Sequence, residues 1–218
     1  MEHGEREAMK KQELVEKIVK AEWEAFDKVQ NEGGRASCQN DWNTFSIMRK
    51  SQYMTWPEEL LAMFLEYFTA CYEQGRNLIT EKYGRIEEST APEAYAKIKD
   101  AFPALSEERI ALQEGIIAIQ VSWMEEFAAK YPNMAGNARS IHTSEDNYGN
   151  TSYETYLRGE ISTYSEALIY AYGQFIAKLA QEGKNLAYET MNCTAKLYGY
   201  RDVDEAERKL AEMRGTNR

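Results

Sequence analysis

The sequence predicts an all-α protein: a single helical-bundle domain, residues 1–218, built from two three-helix halves related by a pseudo-two-fold axis. Three observations lead to this prediction. Only four prolines occur among 218 residues, and the composition is rich in good helix formers. Apolar residues recur at helical spacing in several long segments. Short motifs also occur twice at a nearly constant separation, which indicates an internal duplication.

The first half is predicted to span residues 9–85. Its first helix covers residues 9–30, where apolar residues recur every three or four positions. This helix is expected to end before Gly33 and Gly34, because glycine adopts the left-handed backbone that terminates helices.

Two further helices complete the first half. A short one is predicted at residues 41–50. The longer one opens where Thr55 and Glu58 have the spacing of a capping box and Pro57 fits the first turn. Residues 86–106 are then predicted to form a connector that holds one short helix.

The second half, residues 107–199, repeats this order. A long helix is predicted at residues 110–131 and a short one at 151–158, again with a capping-box pair. Thr163 and Glu166 have the same spacing and are predicted to cap a third, longer helix. A final amphipathic stretch, DVDEAERKLAEM, is also predicted to be helical.

Two pairs of motifs carry the duplication hypothesis. TWPEELL (55–61) pairs with TYSEALI (163–169), and GRNLITE (75–81) pairs with GKNLAYE (183–189). Both pairs are offset by 108 positions (55 to 163, 75 to 183). The alternative interpretation is that unrelated amphipathic helices share similar caps, because most helices need them.

Two polar loops are the candidate site. GRASCQND (34–41) and NARSIHTSEDN (137–147) have a similar outline, and a pseudo-axis could bring them together. Paired guanidinium groups are suited to a carboxylate or a phosphate, because each offers a rigid fork of donors. The candidate ligand-binding residues of the two loops are Arg35, Asp41, Arg139, Glu145 and Asp146. The alternative is that each arginine only ties down its own loop.

A thiol and an imidazole occupy corresponding places in the loops. Cys38 and His142 each lie three residues after an arginine, and such a pair could act as nucleophile and base. With no third group to orient them, they are weak catalytic candidates. The alternative is a small apolar cysteine and a histidine that donates within its loop. The sequence does not decide whether a reaction is catalysed.

Further candidates follow the second loop. Tyr153, Tyr156 and Arg158, with Glu160 and Tyr164 close by, could line a pocket with hydroxyl and guanidinium donors. The alternative is ordinary helix packing by tyrosines whose hydroxyls reach the surface.

Repeated polar residues form another candidate set. Asn77 pairs with Asn185 and Glu81 with Glu189, all placed in the predicted third helices. They could form a buried network, a carboxylate pair or an oxygen-ligated metal site. A solvated helix face is the alternative interpretation.

Composition and motifs argue against several classes of protein. A net charge of −10 disfavours direct nucleic-acid binding. No apolar stretch reaches the roughly 20 residues of a membrane span, and no secretion signal is evident. Three separated cysteines favour reduced thiols in a cytoplasm. The Glu-x-x-His motifs of di-iron bundles are missing, as are the common nucleotide and hydrolase motifs. No metal site is predicted, and no cofactor is identified.

Four segments together resemble a known family. QNEGGRASCQNDWNTFSIMRKSQ, GRNLITEKY, RSIHTSEDNYGNTSYETYLRGEISTYS and GKNL with YGY are similar to a bacterial domain of unknown function, number 4125. The resemblance runs from about residue 12 to residue 207. It implies no activity, and it supplies no catalytic residue. Some relatives are joined to a nucleotidyltransferase-like domain, which implies a nucleotide-linked or partner role.

The expected function is therefore that of a cytoplasmic protein that binds a small anionic metabolite between the two loops, with or without catalysis. The alternative is a non-catalytic helical partner of a nucleotidyltransferase-like protein.

Overall fold

A computed structural model of the chain describes residues 2–30 and 34–216, with side chains from residue 9 onward. Within these ranges the chain forms eleven α-helices and no β-strand. The all-α prediction is therefore confirmed. No helix among the described residues is both long and apolar enough to cross a membrane.

The chain divides into two compact units, Met1–Glu81 and Lys82–Arg218. The division falls inside the fourth helix, at the end of its first turn. The proposed organisation as one domain, with a first half at 9–85, a connector at 86–106 and a second half at 107–199, stays a prediction.

Four helices begin in the first unit: α1 (Glu2–Asp27), α2 (Trp42–Tyr53), α3 (Glu58–Glu73) and α4 (Leu78–Thr90). Helix α1 packs against α2 and α3. The core of this unit contains fully buried side chains, among them Val19, Trp56 and Leu61.

Seven helices begin in the second unit: α5 (Pro92–Ile98), α6 (Glu107–Lys130), α7 (Pro132–Ala135), α8 (Tyr153–Ile161), α9 (Glu166–Gln181), α10 (Leu186–Leu197) and α11 (Val203–Thr216). Helix α6 is the centre of this unit, because α7, α8, α9 and α10 all pack against it. Its buried face includes Ile116, Ile117 and Phe127.

The predicted third helix of each half is two helices, so the three-helix count is wrong. Gly75 (φ 83°) and Gly183 (φ 63°) adopt left-handed backbone, which ends α3 and α9. Asn77 and Asn185 then begin α4 and α10: the Oδ1 of Asn77 accepts from Ile79 N at 2.9 Å, and that of Asn185 from Tyr188 N at 2.9 Å. These asparagines are helix caps, not members of a buried network.

The predicted capping boxes are also wrong. The hydroxyls of Thr55 and Thr163 donate backward, to Gln52 O at 2.6 Å and Glu160 O at 2.7 Å. Both threonines therefore close the preceding short helix instead of opening the next one.

Serines cap two of the helices for which threonines were predicted. Ser165 accepts from the first turn of α9, and Ser152, not Thr151, caps α8. Helix α3 opens at Pro57 without a side-chain cap. The predicted threonine caps, Thr55, Thr151 and Thr163, therefore lie one or two residues before the observed caps.

Candidate functional site

The loop at residues 34–41 seals the end of helix α1. The buried Gln39 amide donates to Phe26 O at 2.8 Å and to Val29 O at 3.0 Å. Its Oε1 accepts from Ala36 N at 2.9 Å. Carbonyl groups at the end of a helix lack partners within the helix. The Gln39 amide therefore binds one carbonyl of the last turn of α1 and one just beyond it, and α1 ends at Asp27, not at residue 30 as predicted. Gly34 has a left-handed φ of 84°, while Gly33 lies outside the described residues.

Arg35 is held within this loop and helix α1. Its Nη2 lies 2.5 Å from the Asp27 carboxylate and 2.7 Å from Gln39 O, and its Nε donates to Asn40 Oδ1 at 2.8 Å. Asp41 caps α2 by accepting from Thr44 N at 3.0 Å. Both residues therefore have structural roles in the first unit.

A cleft of about 780 Å³ lies in the second unit. Its walls come from the end of α4, the connector after α5, the start of α6, and α8. Phe102, Leu105 and Ile110 supply apolar surface, while Thr155 and Arg158 supply polar groups. This volume lies within the range of about 300–1,000 Å³ that is typical of small-molecule sites.

Arg158 is the predicted site residue that lines this cleft. Its guanidinium binds Glu114 at two points, with Nε at 2.7 Å from Oε1 and Nη2 at 2.8 Å from Oε2. Nη2 also donates to Glu154 Oε1 at 2.8 Å, and Nη1 to Thr143 Oγ1 at 3.1 Å. The Glu114 hydrogen bond is the largest cause that raises the pKa of Arg158. Arg158 is therefore a permanent cation in the cleft wall.

A row of hydroxyls connects Arg158 to Asp146. Thr155 donates to Asp146 Oδ2 at 2.5 Å, and Thr143 Oγ1 lies 2.9 Å from Thr155 Oγ1. Because the single hydroxyl hydrogen of Thr155 goes to Asp146, Thr143 must donate to Thr155 and accept from Arg158. Ser89 of α4 also donates to Asp146 Oδ2, at 2.5 Å.

Two carboxyls of this network have altered pKa values. Burial alone would raise the pKa of Asp146, but hydrogen bonds from Ser89, Thr155 and Ser152 outweigh it and lower that pKa. The pKa of Glu154 is also lowered, since the Thr143 amide and Arg158 outweigh its burial. Both groups are therefore anionic at neutral pH, which suits charge pairing more than proton abstraction.

Arg139 and Tyr156 lie together in the second unit. The Arg139 guanidinium carbon lies 4.6 Å from the centroid of the Tyr156 ring, and the Lys82 ammonium lies 3.7 Å from the same centroid. Arg139 donates to Thr151 O at 3.2 Å. Burial and then the charge of Glu160 raise the pKa of Tyr153. Tyr153 is therefore a neutral phenol at physiological pH.

Glu160 and Tyr164 lie in the interior of the second unit. The Glu160 carboxylate is 2.6 Å from Lys82 Nζ and also accepts from the Tyr164 hydroxyl at 3.3 Å. Buried charges are usually paired in this way. These two residues are therefore structural.

His142 and Glu145 follow Arg139 in the second loop. His142 Nε2 lies 3.1 Å from Glu125 Oε1, and the His142 amide donates to Glu145 Oε2 at 3.2 Å. Cys38 is an exposed free thiol of the first unit. The pairing of Cys38 with His142, like the meeting of the two loops, stays a prediction.

The repeated glutamates do not share one environment. Glu81 is buried and lies 2.8 Å from Arg76 Nη2, whereas Glu189 is exposed. The prediction that Glu81 and Glu189 form a carboxylate pair at one depth of the bundle is therefore wrong. Among the described residues, no group of three or more His, Cys, Asp or Glu is placed to hold a metal ion.

Comparison with known proteins places the chain in a family. Residues 12–208 match the family model described as "Protein of unknown function (DUF4125)". The chain belongs to this family. Searches of curated proteins and of solved structures return no match. The DUF4125 match covers most of both units, and it assigns no role to any residue.

Sequence reasoning missed most of the cleft of this DUF4125 chain. Glu114, Thr143 and Thr155 were not predicted to belong to a site. One available signal was the i,i+4 spacing of Glu154 and Arg158, which is typical of a helical ion pair. Gly159 was a second available signal, since a glycine inside a helix often marks a close approach. A Cβ at Gly159 would lie 2.7 Å from Ile86 Cγ1 and 3.0 Å from Lys82 O.

Proposed function

We propose that the second unit binds a small anionic metabolite in the 780 Å³ cleft, with Arg158 as the recognising group. One observation carries the proposal. The planar guanidinium of Arg158 already binds a carboxylate at two points, and that carboxylate belongs to Glu114, whose side chain is 44% exposed. A ligand carboxylate or phosphate would replace Glu114 on the same donors.

The charged side chains that line the cleft indicate the net charge of its ligand. The cleft carries three basic and three acidic side chains: Arg85, Lys99, Arg158, Glu88, Asp100 and Glu114. Such a balanced lining disfavours a polyphosphate and favours a ligand of low net charge, such as a monocarboxylate or a zwitterion. The hydroxyls of Ser89, Thr143, Thr155 and Ser162 already donate within the protein, so their oxygens would accept from N–H or O–H groups of the ligand.

Replacement of Glu114 by the ligand on Arg158 can be tested by measuring binding affinities. We would titrate the protein with a panel of carboxylates, phosphates and amino acids by isothermal calorimetry. Glu114→Gln removes the competing charge, so it should strengthen binding of an anionic ligand. Arg158→Ala should weaken binding at least ten-fold, because a charged hydrogen bond contributes about 1.5–3 kcal/mol.

Matched controls separate recognition from folding. Glu108→Gln removes an exposed carboxylate of the same helix and should leave affinity unchanged. Arg158→Lys keeps the charge without the fork and should bind less well than the wild type. If Glu114→Gln and Arg158→Ala only lower thermal stability and no panel member binds, the cleft has no anion-binding role.

The second candidate function, docking onto a nucleotidyltransferase-like protein, is favoured by an aromatic patch on the first unit. The patch consists of the three rings of Trp23, Trp42 and Phe45, and the exposed Met48 follows Trp42 and Phe45 on α2. Trp42 is 43% exposed and Met48 48% exposed, and the Trp23 and Trp42 ring centroids are 5.3 Å apart. Exposed apolar clusters of this kind are common at protein interfaces.

Co-elution with a nucleotidyltransferase-like protein in size-exclusion chromatography would test this second candidate. Trp42→Ala should abolish co-elution, whereas Tyr198→Ala, which removes a comparably exposed ring of the second unit, should not. Equal co-elution of both variants would argue against the patch.

We also propose that the two halves arose by internal duplication and that the protein is cytoplasmic. Backward hydrogen bonds from Thr55 and Thr163, 108 positions apart (55 to 163), support the duplication. Asn77 and Asn185 support it too, since each cap also donates to a main-chain carbonyl of another helix, Ala25 O and Trp123 O. Free thiols at all three cysteines favour a reducing compartment.

A further inference from the structure

A second pocket, of about 290 Å³, lies in the second unit away from Arg158. Helices α6, α7 and α10 and the loop after α7 form it. Seven of its eleven lining residues are apolar, and these form its interior: Met124, Phe127, Ala128, Ala135, Ala138, Ile141 and Met191. Three of the seven are alanines, and their small side chains leave the space open. Methionine side chains adapt to the shape of an apolar ligand.

Arg139 lines this pocket and, with Ser140, His142 and Glu145, forms its polar rim. Its guanidinium stacks on Tyr156 at 4.6 Å and donates to Thr151 O at 3.2 Å. No carboxylate among the described residues pairs with it, unlike Arg35 or Arg158. Because an arginine has five N–H donors, most of those of Arg139 are available to a ligand. The stacked ring restricts the orientation of the guanidinium, which lowers the entropic cost of binding.

We propose that this pocket binds a monocarboxylate with an apolar body. The apolar body would fill the interior, and the carboxylate would accept hydrogen bonds from Arg139 at the rim. A volume of 290 Å³ holds roughly ten groups of about 30 Å³ each, the liquid volume of a water molecule. The ligand therefore has about eight to ten non-hydrogen atoms, the size of hexanoate or octanoate.

Glu145 limits the charge of this ligand. It is on the same rim and binds the His142 amide through Oε2 at 3.2 Å. A doubly charged phosphate would be repelled by this carboxylate more strongly than a singly charged carboxylate. The lining holds one arginine and no lysine, so it offers no further fixed cation to balance a second negative charge. These features favour a monoanion.

This site is separate from the cleft that Arg158 lines, since the two share no lining residue. Each proposal can therefore fail without the other. The probe is labelled hexanoate, followed by equilibrium dialysis against the full chain. We expect saturable binding at one site, with Arg158→Ala leaving it unchanged.

Two variants test the pocket directly. Arg139→Ala removes an exposed side chain and should weaken hexanoate binding about ten-fold or more, the scale of a lost charged hydrogen bond. Ala128→Leu fills the interior and should abolish binding. Its matched control is Ala129→Leu, at an exposed position of the same helix outside the pocket, which should bind as the wild type does.

Uncharged and cationic probes of equal length complete the test. 1-Hexanol should bind more weakly than hexanoate, and hexylamine more weakly still. Tighter binding of hexylamine would assign the rim to Glu145 and overturn the proposal. So would wild-type binding by Ala128→Leu or Arg139→Ala, or the lack of saturable binding up to roughly 10 mM hexanoate.

Discussion

Arg49 and Glu22 form a two-point ion pair in the interior of the first unit. Arg49 Nε lies 2.8 Å from Glu22 Oε2, and Nη2 lies 2.6 Å from Oε1. The two side chains are only 8% and 1% exposed. Tyr53 joins the pair, because its hydroxyl donates to Glu22 Oε1 at 2.8 Å. A buried pair depends on both partners, since either charge alone would be left without water or a counterion.

Arg49→Ala should therefore lower the free energy of unfolding by about 3–5 kcal/mol, measured by urea denaturation. The control is Lys50→Ala, whose ion pair with Glu16 is more exposed and should contribute about 1 kcal/mol or less. Replacing both partners, with Arg49→Met and Glu22→Leu, should recover much of the loss. Equal losses for Arg49→Ala and Lys50→Ala would contradict this account.

Gly159 should not tolerate a side chain. A Cβ there would lie 2.7 Å from Ile86 Cγ1 and 3.0 Å from the Lys82 carbonyl oxygen. Gly159→Ala should lower stability by about 1–3 kcal/mol through overpacking. Gly115→Ala is the matched control, because no atom lies within 4 Å of its Cβ position. At Gly115 the substitution should raise stability by about 0.4–1 kcal/mol. The measurement is the thermal midpoint of each variant. A shift in the same direction for Gly159→Ala and Gly115→Ala would refute the prediction.

Asp146 and Glu154 should make the chain sensitive to acid. Their pKa values in the folded chain lie below the ordinary values of 3.8 and 4.5. A carboxyl of this kind adds stability that is complete above its unfolded pKa and is lost as the pH falls through its folded pKa. We therefore expect the free energy of unfolding to fall below about pH 4.

Asp146→Asn should flatten this fall, since an amide does not titrate. The measurement is urea denaturation at several pH values between neutrality and about pH 3. Asp100→Asn, at an exposed carboxyl that makes no described hydrogen bond, should keep the wild-type slope. An unchanged slope in Asp146→Asn would show that other groups cause the acid sensitivity.

Asn77 and Asn185 should contribute similar stability to their two units. Each caps a helix and donates to a carbonyl of another helix, at 2.8 Å to Ala25 O and at 3.0 Å to Trp123 O. Each Asn→Ala change should cost about 1–2 kcal/mol. Amide hydrogen exchange would assign each loss to its unit. In the double variant the losses should add within about 0.5 kcal/mol, as expected for independent sites.

The sequence was sufficient to predict the fold class and the approximate positions of most helices. Apolar periodicity places both ends of α6 and the end of α1 to within three residues, because a buried stripe must recur with the helical period. Helix α1 begins seven residues before its predicted start, at Glu2 and not at residue 9. Helix ends were less predictable. Thr55 and Thr163 are equally compatible with opening a helix and with closing the one before it, and only the hydrogen-bond geometry distinguishes these cases.

The cleft was far harder to predict. Arg158 was singled out for its chemistry, but Glu114 and Thr143 come from distant parts of the chain, on α6 and in the loop before α8. Their meeting depends on tertiary packing, which no local pattern reports. The role of Gln39 was missed for a similar reason, since its partners Phe26 and Val29 are ten or more positions away.

The fixed direction of the hydrogen bonds from Arg158 to Asp146 has an evolutionary consequence. Thr143 must both accept from Arg158 and donate to Thr155, and Thr155 must pass its only hydrogen to Asp146. Loss of either hydroxyl leaves the other without one of its two hydrogen-bond partners, so the remaining hydroxyl contributes less once the first is gone. Among members of this family, Thr143 and Thr155 should therefore be gained and lost together, as one inherited unit.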